Sequence, residues 1–410
     1  MNIVPFPPFV PPQMPQMPPN QLPCLAPLNL PGLPQLPFDR ARRNLGDKLP
    51  EVPHQPPAGS LVIVDSFEDS MQADHGNVGA YAATEHGFRG PVFAEKLGPD
   101  GGLQRRAVGA LVQLNSGPLD PAQTRQNLQD VARFQASDLL NDVTGDLTKL
   151  RQRGLRDSAV NISYGATPIG VADALVERVR AGTSPYSDDH QLSQNVLKAY
   201  NLDAQKLGHP DPKIHGPERR RLHQSMLEAA RAGFDTPEVK QAQQKYDQAV
   251  HNLQGDHNSV VVSAGNQQAI KADWAKEAEG LEVTSRPGDN YNVLANSEVT
   301  TVGATRWLKG PDGLREIVAP YSNQNPTVDV FASGSVATGQ DQNVKTIWGT
   351  SYASPRVAGA LASLHGNHPG SNSAQMRNLL NNRLTHQLPG ASAPVLDFQA
   401  AEEYMRKGTF

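Results

Sequence analysis

Short apolar runs recur along this chain and alternate with segments of helical length. The runs are rich in β-branched residues and fall at 61–64, 91–97, 159–163, 260–264, 298–304 and 328–332. A run this short without polar alternation predicts a strand that is buried on both faces. The segments between the runs, such as residues 122–141, are long enough to form helices. The alternation therefore predicts an α/β fold with a predominantly parallel sheet covered by helices.

One stretch, residues 180–257, interrupts this alternation because it is polar and helical in pattern. Thr236 followed by Pro237 is a helix start signal, and a second helix is predicted from Pro217 to Arg231. A third helix is indicated by the apolar spacing near Leu192. We interpret this stretch as a helical insertion within a domain that covers residues 58–410. Its role is open between simple packing and gating of substrate access.

Proline dominates the N-terminal segment: of the 35 prolines in the chain, 17 lie within residues 1–57. Because proline fixes φ and removes a backbone donor, this composition predicts a disordered tail rather than a packed element. The tail is either a spacer or a ligand for a partner with an aromatic groove. The single cysteine, Cys24, lies in this segment and excludes an internal disulfide framework.

The charge balance and the hydropathy pattern exclude several classes of partner. The 37 basic and 41 acidic residues nearly cancel, so neither nucleic acid nor an anionic membrane is expected to bind. The N-terminus has no basic region before an apolar stretch, and no segment is apolar for long enough to cross a bilayer. We infer no classical secretory signal and no membrane span. The expected location is cytoplasmic, or outside the cell after export by another route.

The segment Gly349–Gly359, with the sequence GTSYASPRVAG, contains the candidate nucleophile Ser351. A serine in the first turn of a helix lies at the positive end of the helix dipole, beside backbone N–H groups that have no intrahelical partner. Such a position can stabilise an oxyanion. The alternative is an ordinary helix cap.

A nucleophilic serine needs a base, and the base needs a carboxylate that orients it. Asp65 directly follows the predicted strand 61–64, at the sheet edge where α/β proteins collect their sites. His75 precedes a helical pattern that ends near Gly87. Taken alone, Asp65 could instead be a helix cap or a turn residue.

Two further alternatives concern the neighbourhood of Asp65 and His75. His86 also precedes a glycine, but a histidine at a helix end commonly complements the helix dipole, and we favour His75 as the base. The acidic residues Glu68, Asp69 and Asp74 could bind a hard cation. They lack the spacing of a calcium loop, so we predict no metal site.

Taken together, these segments resemble the motifs of the subtilase family of serine peptidases. The segment that contains Ser351 resembles the family's nucleophile motif, and residues 64–66 and 75–78 resemble the aspartate and histidine motifs, with Gly79 in place of the usual valine. The resemblance implies a three-layer, subtilisin-like α/β domain with a catalytic triad of Asp65, His75 and Ser351. The gap of ten residues between Asp65 and His75 is shorter than is typical of the family.

The resemblance also implies an oxyanion donor and a substrate groove. Residues 262–266 resemble the motif in which Asn266 donates its amide to the developing oxyanion. Residues 161–165 resemble a strand that lines the groove. The walls of the pocket for the residue before the cleaved bond are then formed by two short sets, Ser163, Tyr164 and Gly165 on one side and Ser263, Ala264 and Gly265 on the other.

The implied activity is the hydrolysis of protein or peptide substrates through an acyl-enzyme, with no cofactor. Two alternatives keep the same fold. One is a catalytically inactive interaction protein that binds through the tail and the helical insertion. The other is a peptidyl acyl transferase that uses the same triad.

Overall fold

We describe a computed structural model of the chain over residues 49–67, 75–85, 87–98, 105–311, 313–338 and 345–407. Several residues of the sequence analysis lie outside these ranges, namely Cys24, Glu68, Asp69, Asp74 and His86. Within the described ranges, no helix combines the length and the apolar character needed to cross a membrane.

The strands follow the apolar runs of the sequence. They are β1 (Leu61–Asp65), β2 (Val92–Lys96), β3 (Ala159–Ile162), β4 (Ser259–Ser263), β5 (Thr300–Gly310), β6 (Gly313–Val318), β7 (Val330–Ser333), β8 (Ser335–Thr338), β9 (Lys345–Trp348), β10 (Thr385–His386) and β11 (Val395–Leu396). Each of the six predicted runs overlaps a strand. The strands β6 and β8 to β11 were not predicted.

Helices fill the intervals between the strands. They are α1 (His75–Glu85), α2 (Arg105–Asn115), α3 (Pro121–Gln152), α4 (Pro168–Ala181), α5 (His190–Ala199), α6 (Ala204–Leu207), α7 (Pro212–Phe234), α8 (Pro237–Gly255), α9 (Ile270–Glu277), α10 (Thr350–Asn367), α11 (Ser373–Arg383) and α12 (Phe398–Lys407).

The main sheet has the strand order β10-β11-β7-β5-β4-β3-β1-β2, with β6 paired to β5 outside this path. From β11 through β2 the neighbouring strands are parallel, whereas β6 and β10 pair antiparallel. Alternate residues of β1 enter different cores: Leu61 and Ile63 pack with α10, and Val62 and Val64 pack with α3 and α8. The predicted three-layer α/β fold with a mainly parallel sheet is confirmed.

The stretch between β3 and β4 is helical, as its sequence pattern predicts. Helix α8 begins at Pro237, and the side chain of Thr236 accepts a hydrogen bond from the backbone of Val239. Helix α7 begins earlier than predicted, at Pro212, because Asp211 caps it and Pro217 is accommodated inside it. The proline at position 212 lies at the start of the helix, where a missing N–H costs no intrahelical hydrogen bond.

The N-terminal end of the described chain packs against the sheet. The backbone carbonyl of Pro50 accepts a hydrogen bond from Ala94 N at 2.9 Å, and Val52 is buried. Gln55 N donates to the carbonyl of Arg153 at 2.7 Å. Contacts with the domain therefore begin before residue 58, the boundary that composition alone suggested for the tail.

Candidate active site

Asp65 and His75 lie in direct contact at the carboxyl end of β1. The His75 Nδ1 atom is 2.9 Å from both carboxylate oxygens of Asp65, and the Asp65 side chain is fully buried. Oδ1 of Asp65 also accepts a hydrogen bond from Ser66 N at 2.7 Å. With the Nδ1 proton donated to this carboxylate, the lone pair of a neutral imidazole is on Nε2, where a proton can be accepted.

Two tyrosines flank the imidazole of His75. The ring of Tyr352 lies 5.5 Å from the His75 ring, and the ring of Tyr164 lies 6.1 Å away in an edge-on arrangement. Burial, together with the nearby Asp65 charge, raises the pKa of Tyr352 to about 12, so its phenol stays protonated. Tyr352 directly follows Ser351 in the chain, and this contact places the imidazole beside the start of α10.

Ser351 is the second residue of α10 and is almost completely buried. Its backbone carbonyl accepts a hydrogen bond from Ser163 Oγ at 3.0 Å, which ties the first turn of α10 to the end of β3. A methyl group placed on Gly349 would lie 3.1 Å from Ser351 Oγ and 3.4 Å from Asn266 Nδ2. The serine hydroxyl and the asparagine amide therefore border the same point in space.

The side chain of Asn266 is held in one orientation by Thr350. Its Oδ1 atom accepts hydrogen bonds from Thr350 N at 2.9 Å and from Thr350 Oγ1 at 3.0 Å. Thr350 Oγ1 in turn accepts from Gly265 N at 3.1 Å. Because the amide oxygen is occupied, the Nδ2 donor is directed to the side where Ser351 Oγ lies.

The loop that carries Asn266 is fixed from behind by Asn323. Asn323 Nδ2 donates to the carbonyl of Ala264 at 2.8 Å, and Asn323 N donates to the carbonyl of Gly265 at 3.0 Å. Gly265 has φ +97°, and a Cβ there would lie 2.7 Å from Asn323 Nδ2. A glycine is required at this position for both reasons.

The predicted substrate residues at the ends of β3 and β4 are brought together. Ser263 Oγ donates to the carbonyl of Ser163 at 3.3 Å. Asn292 Nδ2 donates to the carbonyls of Ser263 at 2.6 Å and Tyr164 at 3.3 Å, and so bridges the two segments. A Cβ on Gly165 would lie 2.3 Å from the same nitrogen atom.

Two residues that support this site, Asn292 and Asn323, were not predicted from the sequence. Asn292 lies in an irregular segment whose pattern gives no signal. Asn323 was not predicted as a site residue, because its contact with the loop that carries Asn266 is visible only in the structure. Among the described residues, no group of three or more His, Cys, Asp or Glu side chains is arranged to hold a metal ion.

Comparisons with known proteins find similarity to one family of peptidases. The model of the subtilase family (Peptidase_S8) matches residues 222–397, a range that includes Asn266 and Ser351 but begins after Asp65 and His75. One relative is a Schizosaccharomyces pombe protein of the sexual differentiation process, whose name places it with the subtilase-type proteinases. It is 30% identical to this chain over 173 residues, which cover 37% of this chain and 36% of that protein. The alkaline serine protease ver112 of Corniculantispora psalliotae is 28% identical over 160 residues, 38% of this chain and 36% of that protein.

The matched region is thus little more than a third of the length of these curated relatives. Among solved structures, a lanthipeptide protease covers 84% of this chain and 87% of its own, at 16% identity and a TM-score of 0.36. The described fold is an α/β fold with a mainly parallel sheet, and residues 222–397 within it match the subtilase family.

Proposed function

We propose that this chain is a serine endopeptidase that hydrolyses peptide bonds in proteins through an acyl-enzyme. The observation that carries the proposal is the contact of His75 Nδ1 with the buried carboxylate of Asp65, next to the helix turn that contains Ser351. A histidine that is oriented by a carboxylate beside a serine is the arrangement that activates a hydroxyl nucleophile.

In this mechanism Ser351 Oγ bonds to the carbonyl carbon of the substrate while its proton passes to Nε2 of His75. The tetrahedral intermediate collapses when Nε2 returns that proton to the leaving amine, and the C–N bond breaks. Water then attacks the ester, again with His75 as the base, and releases the carboxylic acid and the Ser351 hydroxyl. Asp65 stabilises the imidazolium throughout and keeps its own negative charge.

Asn266 supplies the side-chain donor for the oxyanion. The negative charge on the carbonyl oxygen develops only in the tetrahedral intermediate, so a donor fixed in advance stabilises that state selectively. The contacts from Thr350 to Asn266 Oδ1 supply this preorganisation. The backbone N–H groups at the first turn of α10 provide further donors.

The proposed substrate is a polypeptide that lies between the end of β3 and the loop that carries Asn266. Ser163, Tyr164 and Gly165 form one wall, and Ser263, Ala264 and Gly265 form the other. Both segments continue buried strands, so they are held rigidly enough to position an extended peptide.

The test is labelling by a fluorophosphonate probe together with cleavage of denatured casein. Wild-type protein should be labelled and should cleave, and Ser351→Ala should do neither while retaining the unfolding midpoint of the wild type. His75→Ala should also prevent labelling. Labelling that persists in Ser351→Ala would place the nucleophile elsewhere, and a wild type that is neither labelled nor active would indicate an inactive interaction protein.

A further inference from the structure

The segment at residues 282–292, here called the pocket loop, contains the residue that joins the two proposed walls of the substrate pocket. Asn292 uses its whole amide group: Nδ2 donates to the carbonyls of Ser263 and Tyr164, and Oδ1 accepts from Leu294 N at 3.0 Å. The side chain is also in close contact with Gly165. The spacing of the two walls therefore depends on where the pocket loop holds Asn292.

The pocket loop has neither helix nor strand, and several of its backbone polar groups are paired with groups outside it. Side chains from one face of α7 provide them. Arg220 Nε donates to the carbonyl of Glu282 at 2.7 Å, and Gln224 Oε1 accepts from Thr284 N at 2.8 Å. Arg231 Nη2 donates to the carbonyl of Thr284 at 2.7 Å.

The strongest of these contacts is a buried, bidentate ion pair between Arg231 and Asp289. Arg231 Nε and Nη2 donate to the two oxygens of Asp289 at 2.8 and 2.9 Å, and the exposed fractions of the two side chains are 10% and 2%. Lys271 Nζ lies 3.2 Å from the same carboxylate, and Arg286 N donates to it at 2.8 Å. Burial on its own would raise the pKa of Asp289, but these donors bring it below its ordinary value.

Asp289 also connects the pocket loop to the helix that follows the substrate strand. Its backbone carbonyl accepts a hydrogen bond from Ile169 N at 2.9 Å, in the first turn of α4. The neighbouring carbonyl of Asn290 accepts a hydrogen bond from the side chain of Asn323, the residue that holds the loop that carries Asn266. Asp289 and Asn290 thus connect α7, through the carboxylate, with α4 and Asn323, through the two backbone carbonyls.

We propose that Arg231 is a positioning residue for substrate recognition. By holding Asp289 it fixes the pocket loop, Asn292 and the separation of the two walls, so that α7 controls selectivity for the substrate residue before the cleaved bond. This inference rests on the proposed peptidase function for its kinetic consequence. The anchoring itself can be measured without any activity.

The first experiment follows amide hydrogen exchange across residues 282–292 in wild type, Arg231→Gln and Arg221→Gln. Arg221 is the matched control because it lies on the same helix but pairs with Glu218 and donates to the carbonyls of Tyr200 and Asn201. We expect exchange in the pocket loop to rise at least about tenfold in Arg231→Gln and to stay at the wild-type rate in Arg221→Gln. Equal protection in all three proteins would overturn the inference.

The second experiment compares kinetics on peptides that differ only in the residue before the cleaved bond, namely Ala, Leu, Phe, Lys and Glu. In Arg231→Gln the ratio of kcat/KM between the best and the worst peptide should fall about tenfold. Most of this fall should come from a higher KM for the best peptide. Inactivation by a small fluorophosphonate, which does not fill the pocket, should stay within about twofold of wild type. An unchanged ratio, or an equal loss in Arg221→Gln, would refute the positioning role.

Coupling between Arg231 and Asn292 gives a separate test. If Arg231 acts through Asn292, then adding Arg231→Gln to Asn292→Ala should change the ratio of kcat/KM between the best and the worst peptide by less than about twofold. If the two residues acted independently, the changes in this ratio caused by the two single substitutions would multiply in the double variant, and this result would refute the proposal. Should Arg231→Gln fail to fold, Arg231→Lys decides, because it keeps the charge and loses the bidentate geometry. A wild type that the phosphonate does not label would reject the proposed function, and the exchange experiment would still decide whether Arg231 anchors the loop.

Discussion

Arg356 of α10 and Glu85 at the end of α1 form an ion pair that joins the helix of the candidate nucleophile to the helix of the candidate base. Arg356 Nη2 lies 2.7 Å from Glu85 Oε2, and the guanidinium also donates to the carbonyls of Ser333 and Ser335. The side chain of Arg356 is 1% exposed and that of Glu85 is 26% exposed. Burial lowers the pKa of Arg356, while the charge and hydrogen bond of Glu85 act to raise it.

Glu85→Gln should therefore lower the free energy of unfolding by about 3 kcal/mol, because it leaves a buried cation without its counter-charge. Urea denaturation at pH 7 measures this loss. The matched control is Asp256→Asn, which removes the partner of the half-exposed Arg151 and should change stability little. Equal effects of the two substitutions would mean that burial of the Arg356 pair is not important for stability.

His365 should make the protein acid-sensitive. It is fully buried in α10, with Nε2 2.9 Å from Ser259 Oγ. Burial lowers its pKa to about 4, while Asp157 acts to raise it and His257 to lower it. The unfolded chain binds a proton below about pH 6.5 and the folded chain only below about 4, so this residue costs stability as the pH falls between those values, by about 3 kcal/mol in total.

The measurement is the unfolding free energy at pH 7 and pH 4.5 for wild type and for His365→Gln. The loss on acidification should be smaller in His365→Gln by about 2 kcal/mol or more, since the neutral amide does not titrate. Equal losses in the two proteins would assign the acid sensitivity to other groups.

Substitutions of Asn266 and Thr350 should separate the oxyanion donor from the residue that orients it. Asn266→Ala should lower kcat by about two to three orders of magnitude with little change in KM, the cost of one missing donor in the transition state. Thr350→Val removes one of the two hydrogen bonds to Asn266 Oδ1 and should lower kcat by about tenfold. A wild-type rate for Asn266→Ala would make Asn266 a turn residue only.

Two truncations should locate the start of the folded domain. Removal of residues 1–48 should leave the unfolding free energy unchanged. Removal of residues 1–57 should lower it by about 1–3 kcal/mol, because the buried side chain of Val52 and the hydrogen bond from Ala94 to Pro50 are lost. Urea midpoints of the two proteins decide between a boundary at 48 and one at 57.

Local sequence patterns determined a large part of this fold. The run LVIV predicts β1 because a strand covered on both faces by helices must be apolar on both faces, and all of its residues are buried. The start of α8 follows from Thr236 and Pro237 because capping depends only on adjacent residues. Similarly, the segment around Ser351 predicts its place in the first turn of a helix.

Contacts between distant residues were decided by the tertiary structure alone. Nothing in the sequence indicates that Asn292 fills the space beside Gly165, because Gly165 follows β3 whereas Asn292 lies far along the chain in the irregular pocket loop. Arg231 and Asp289 are 58 positions apart, and the pair forms only because α7 packs beside the irregular pocket loop. Patterns of burial and capping are set by neighbouring residues, whereas the partner of a buried charge is set by the packing of whole elements.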